Sequence, residues 1–303
     1  MFSVVVERLR AGESYYPAMG DELRLEGYPS ASVFNWRTPA LYVAMAAMPR
    51  WLPPLLIAAL SVVLLALLLI HLARHGSPEG TLIGLALSAT AVGTLADHQG
   101  RWMTEGWCGV LIGLSLAAYL WGRWVPAALL GLAALFLREL AAPYCVACFL
   151  VALRAQRRRE LSVWVGGLVI FAVYYAMHVS QVWAEVRPDD LAHSRSWVQF
   201  GGLSFWLATI KTNVAFFAAP RWMLAVASVL LVSALWDPAL PSHVRASLVA
   251  YSVFFAVAGQ RFNDYWGFVS AFVYALALAH GPTGLRTLIR QTMPPRGPRA
   301  RAA

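Results

Sequence analysis

Long apolar runs separated by short polar turns fill the chain from Trp51 onward. A hydrocarbon core about 30 Å thick takes roughly 20 residues of α-helix to cross, with a usual range of about 17–25. Apolar runs near 52–74, 81–97, 107–122, 124–138, 141–153, 161–183, 220–236, 243–258 and 266–282 predict about nine spans. Several are short by that rule, so they draw on flanking residues or sit among other helices. The segment 202–217 is also apolar, but it carries Lys211, Thr212 and Asn213 at helical spacing. An amphipathic helix lying flat in the interface is the expectation there. The pattern reads as an all-α, polytopic transmembrane helical bundle with juxtamembrane helices on its outer face. Its parts are a loop with juxtamembrane helices over 1–50, a membrane domain over 51–290, and a disordered basic tail over 291–303.

Composition agrees with the pattern. The chain is 59% hydrophobic and 13% charged, with mean hydropathy +0.60, against roughly 25% charged residues in an average soluble domain. The net charge of +9 does not form one basic stripe of the kind that binds nucleic acid, because the arginines stand in clusters between apolar runs. Basic residues accumulate on the cytoplasmic side of membrane proteins. With 202–217 flat, the cytoplasmic side holds twelve basic and three acidic residues, and the outer side twelve of each. If that segment crossed, the five arginines after Pro282 would face outward, against the bias. The tail is therefore expected in the cytoplasm and residues 1–50 outside.

The cysteine pair Cys145 and Cys148 has redox or zinc spacing, but no second pair completes a metal site. Packing is the expectation for both and for Cys108. His71 and His75 stand one helical turn apart beside Arg74, with no acidic partner in sequence; His178 and His280 read as packing or interfacial residues. No Walker loop and no Gly-x-Gly-x-x-Gly after a strand is present.

The polar chemistry gathers in the outer turns. Gly12-Glu-Ser-Tyr-Tyr-Pro17, Gly27-Tyr-Pro29 and Asn35-Trp-Arg-Thr-Pro39 precede a short apolar helix at 40–48. Tyrosine and tryptophan favour the headgroup level, and arginine suits phosphate oxygens. Asp97-His-Gln-Gly-Arg-Trp-Met-Thr-Glu105, Arg138-Glu139 and Arg261-Phe-Asn-Asp-Tyr-Trp266 bring acids, arginines and aromatics to the same face. A structural salt-bridge network would read alike.

On these motifs the chain resembles the GT-C superfamily of membrane glycosyltransferases. The resemblance implies a GT-C-like fold and an inverting transfer of sugar from a polyprenyl-phosphate donor to an acceptor on the outer face of a bacterial plasma (inner) membrane. Members begin with a membrane helix and a catalytic aspartate close behind it. That segment is expected upstream of Met1 or lost, leaving Asp21, Glu22, Asp97 and Glu105 as carboxylates. Asp97 and Glu105 are the candidates for general base. Tyr15, Tyr16, Arg37, Arg138, Arg261 and Asn263 are the candidates for binding the donor, three of them as guanidiniums toward its phosphate. No metal ligand set and no cofactor besides the lipid-linked sugar is assigned, although a divalent metal assists some members. The implied partners are membrane lipid, the polyprenyl-phosphate sugar and an unidentified acceptor, without nucleic acid. Two other classes fit the composition: a transporter or flippase of lipid-linked material, with a polar path through both leaflets, and a non-catalytic membrane partner.

Overall fold

The computed structural model describes residues 1–95, 100–192, 196–217 and 219–293. Three short helices come first: α1 (Phe2–Arg10), α2 (Tyr15–Leu25) and α3 (Ala40–Ala47). In α1 the pattern is amphipathic, with Val5 and Val6 buried while Arg8 and Arg10 close the last turn, where positive charge suits the helix dipole. Then follow α4 (Leu52–His75), α5 (Pro78–Leu95), α6 (Thr104–Leu120), α7 (Trp124–Leu137), α8 (Ala142–Arg154) and α9 (Arg158–Glu185). After these come α10 (Gly202–Lys211), α11 (Val214–Phe217), α12 (Arg221–Ala234), α13 (Ser242–Val257) and α14 (Gly267–Thr292). Within the described residues, each of the nine segments expected to be an apolar helix is largely helical. Among the described residues there is no β-strand, only an isolated antiparallel bridge between Val198 and Ala258.

Among the described residues, three stretches are long and apolar enough to cross a membrane: Leu52–His75, Arg158–Glu185 and Arg261–Thr292. Four apolar helices, α6, α7, α12 and α13, have 14 to 17 residues, or about 21–26 Å at about 1.5 Å per residue. The surface points to the same solvent as the helix lengths. Along α9, Val165, Val169, Ile170, Val173, Met177 and Trp183 are all exposed. Only 11% of its most apolar stretch is buried, against 72% for Arg261–Thr292. A continuous apolar face of this kind is costly in water and neutral in lipid, consistent with a membrane protein.

Helix α14 is the centre of the bundle, packed against α5, α6, α12 and α13. Apolar burial does little to hold helices together in lipid, so close backbone approach matters more. Gly109 of α6 provides it, since a β-carbon there would overlap the Phe268 carbonyl at the start of α14. Gly284 of α14 does the same against Ser233 of α12. That contact helps explain why α14 runs through Pro282 to Thr292, although proline favours a helix end and the apolar run was expected to stop there. The end of the tail, 294–303, lies outside the described residues. Cys108, Cys145 and Cys148 are free and buried; the first two give their thiols to the carbonyls of Ala134 and Gly131 at 3.5 Å.

The segment expected to be one amphipathic helix is not continuous. It breaks into α10 and α11, and Thr209 is 2% exposed. Asn213 accepts a bond from the Thr90 hydroxyl at 2.8 Å and donates to the Leu87 carbonyl at 2.9 Å, both on α5. Of the polar residues that suggested an interfacial face, Asn213 and Thr212 bond to the protein, Thr212 to the Asp264 carbonyl at 2.7 Å, while Lys211 is exposed. At ten residues, α10 rises about 15 Å, half a hydrocarbon core.

Helices α1 to α3 cover one end of the bundle, called here the capped end. Arg24 ties α2 to the chain beyond α9, reaching Asp190 at 2.6 Å and the Glu185 carbonyl at 2.6 Å. Its hydrogen bond holds the Asp190 carboxyl down at about 2. Arg187 and Arg8 reach Asp21 from two sides, each at 3.1 Å. Asp21 is thus held below the usual carboxylate range, first by its bond to Arg8.

Candidate functional site

Under the cap, four interruptions of helix bring charged residues together. Arg37 lies in extended chain between a 3-10 turn, Val33–Asn35, and α3. Thr38 fixes that stretch by donating to the carbonyls of Phe136 and Leu137 at 3.1 and 2.8 Å, which caps the end of α7. Tyr15 donates to the Arg37 carbonyl at 2.5 Å. Arg138 occupies the break between α7 and α8, where φ −157° and ψ 124° stop the helix. Glu105 sits in the first turn of α6, the end of a helix that favours a carboxylate. The fourth interruption is the 3-10 turn Arg261–Trp266, which supplies Tyr265.

Glu105 is the hub. Its Oε1 lies 3.2 Å from Nη2 of Arg37 and 3.1 Å from Nε of Arg138, and Arg138 also meets Glu139 at 3.0 Å. Two guanidiniums and two carboxylates make the group neutral. Glu105 and Arg138 are each 1% exposed. Arg37 also donates to the Tyr265 hydroxyl at 3.2 Å, and its charge lies over the rings of Phe2 and Tyr265 at 5.6 and 5.9 Å. Burial opposes that charge, but the Glu105 carboxylate together with Tyr265 and Tyr42 outweighs it and raises the pKa of Arg37 above its ordinary value.

The hydrogen bonding of this group is incomplete. Nε of Arg37, Nε of Arg138 and Oε1 of Glu105 are buried with no aligned partner among the described residues. The ion pairs are close but off-axis, which gives Coulomb attraction without full hydrogen bonds. Buried charged donors left in this state are costly. Of these four residues only Arg37 lines a cavity of about 1010 Å³, which Phe2, Tyr28, Asn35, Trp102, Phe262 and Tyr265 also line.

The residues singled out from sequence fall into three groups. Arg37, Glu105 and Arg138 meet, with Tyr15 directly behind them. Of the three arginines expected around one phosphate, only Arg37 lines this cavity; Arg138 and Arg261 do not. Asn263 is 1% exposed; it accepts from the Gln260 amide at 3.0 Å and its own amide is 3.5 Å from the Tyr265 hydroxyl, positioning the turn. Tyr16 pairs instead with His178 of α9 at 3.2 Å, and burial pushes its hydroxyl up to about 12. Arg261 is exposed and outside the cavity lining. Asp97 lies outside the described residues.

Tyr265, Phe2 and Tyr28 of the lining were not among the site residues read from sequence, though Tyr265 and Tyr28 stood in the aromatic motifs. Glu139 was adjacent to a chosen arginine; its pairing depends on the break at Arg138. Among the described residues no group of three or more His, Cys, Asp or Glu is arranged to hold a metal ion. Comparison of the chain with protein-family models, curated proteins and solved structures gives no match.

Proposed function

We propose that the cavity under the cap receives the phosphate of a polyprenyl-phosphate sugar, and that the protein is a GT-C-type glycosyltransferase working on the outer face of a bacterial plasma membrane. In this reading the capped end faces outward, the chain crosses about nine times, and the C-terminal tail is cytoplasmic. The observation that carries it is Arg37: a guanidinium lining a cavity at the end of an apolar bundle, with a buried donor that has no aligned partner among the described residues. A phosphate oxygen would complete its fork, and a fixed cation stabilises the negative charge that develops on a departing phosphate. Tyr265 and Glu105 hold the guanidinium in place.

The acceptor hydroxyl needs a base. Glu105 is engaged by two arginines, so its role in this reading is to orient Arg37; Asp97 takes the place of base. A transporter would need a polar path between the two ends. The buried run of α6 from Ile112 to Ala117 lies between them and offers only Ser115, which bonds to Ala127 and Tyr144. That favours a pocket open at one end.

The test is binding of polyprenyl phosphate to the purified protein in nanodiscs, read by native mass spectrometry. Arg37→Lys should weaken binding about tenfold or more, because a point charge cannot reproduce the fork. Tyr265→Phe should weaken it less, and Arg261→Gln should leave it unchanged. Wild-type affinity in both Arg37→Lys and Arg37→Gln would overturn the reading.

A further inference from the structure

A second cavity, of about 730 Å³, opens at the far end of the bundle. Four histidines reach it from three helices: His71 and His75 from α4, His243 from α13 and His280 from α14, joined by Arg157 just before α9. The stretch Pro241–Val244, the start of α13, forms part of the wall. That helix has no side-chain cap, so its first-turn amides have no partner within the helix and present a positive end.

Among the described residues no carboxylate lines this cavity. The two nearby acids are spent behind the wall. Glu160 accepts from Tyr119 at 2.6 Å and from Arg157 at 3.3 Å. Asp237 pairs with Nδ1 of His280 at 2.7 Å and accepts from the Ala239 amide at 2.9 Å, which orients the imidazole. His243 is stacked on Tyr119 with centroids 3.6 Å apart. It is 7% exposed, and its Nε2 is buried without a partner. Imidazoles from three helices, an uncapped helix start and a guanidinium around one cavity make a place for an anion.

We propose that this cavity binds a phosphate monoester carried on an apolar body. Imidazoles from α4, α13 and α14 and the Arg157 guanidinium converge, and a group with three terminal oxygens can meet several of their N–H groups together. Inorganic phosphate would leave most of the volume empty, whereas Leu72, Leu116, Leu120 and Trp124 offer an apolar wall for the rest of the ligand. The ligand is a soluble organic phosphate or a lipid phosphate, which share this chemistry. The site stands apart from the cavity under the cap and does not depend on its function.

Full-length protein in phosphatidylcholine nanodiscs is titrated calorimetrically with phenyl phosphate, with dihexanoyl phosphatidic acid, and with benzoate as the carboxylate control. Phosphate binding is expected, weakened about tenfold by His75→Gln and by Arg157→Gln, and unchanged by Arg286→Gln at the same end outside the cavity. Binding of phenyl phosphate assigns a soluble ligand; binding of the phosphatidic acid alone assigns a lipid. The proposal is overturned if neither phosphate binds, if benzoate binds as tightly, if His75→Gln and Arg157→Gln both retain wild-type affinity, or if Arg286→Gln weakens binding as much as they do.

Discussion

Arg138 and Arg37 are the same residue type and both meet Glu105, yet their surroundings give them different work. Arg138 is enclosed between Glu105 and Glu139, so its charge is used inside the protein. Arg37 shares Glu105 but keeps one side on a cavity. Removing one partner of a buried ion pair leaves the other uncompensated, at a cost of about 3–5 kcal/mol. Arg138→Met should therefore destabilise the fold by about that amount, whereas Arg261→Met, at an exposed position, should fall within about 0.5 kcal/mol of wild type. Reversible unfolding in mixed detergent measures both. Equal stability of the two variants would mean that the Glu105 hub is not formed.

Among the helices, α14 carries the packing and α9 carries the lipid-facing surface. The contrast follows from their residues: α14 buries Gly267, Gly281 and Gly284 with a run of alanines, while α9 turns valines and aromatics outward. Small residues let backbones approach, and in lipid that approach is the main source of helix association. Gly109→Leu should force α6 away from Phe268. The expected result is loss of the folded monomer peak in size-exclusion chromatography, or destabilisation of at least about 2 kcal/mol. Gly166→Leu on α9, where an added carbon meets nothing within 4 Å, should be tolerated. Similar behaviour of the two variants would contradict the central place of α14.

For the molecule as a whole, the two ends differ in kind. The capped end is stapled by ion pairs among α1, α2 and the chain after α9; the far end holds the histidine-lined cavity. With the capped end outside, a reporter active only in the cytoplasm should give signal when fused after Ala303 and none when inserted at Pro188, because the arginine-rich tail resists export. Silence after Ala303 in a well-expressed fusion would invert the orientation and move the proposed transferase site to the other face.

The apolar periodicity set the helices, since runs of Leu, Ala and Val with few charges leave the backbone no other way to satisfy its hydrogen bonds in lipid. It also marked Arg37, Glu105 and Arg138 as charges in need of partners, because an ion near an apolar helix end is too costly to stand alone. Partner choice was not legible. Glu105 takes two arginines from positions 68 residues before it and 33 after it, a matter of how α6, α7 and the stretch before α3 meet. The fate of 202–217 was hidden for the same reason: its amphipathic pattern shows that polar groups need partners, while the position of α5 makes Leu87 and Thr90 those partners. Four histidines scattered between positions 71 and 280 become one cavity wall only when α4, α13 and α14 close around it, because periodicity fixes the face a residue occupies on its own helix and packing fixes what that face meets.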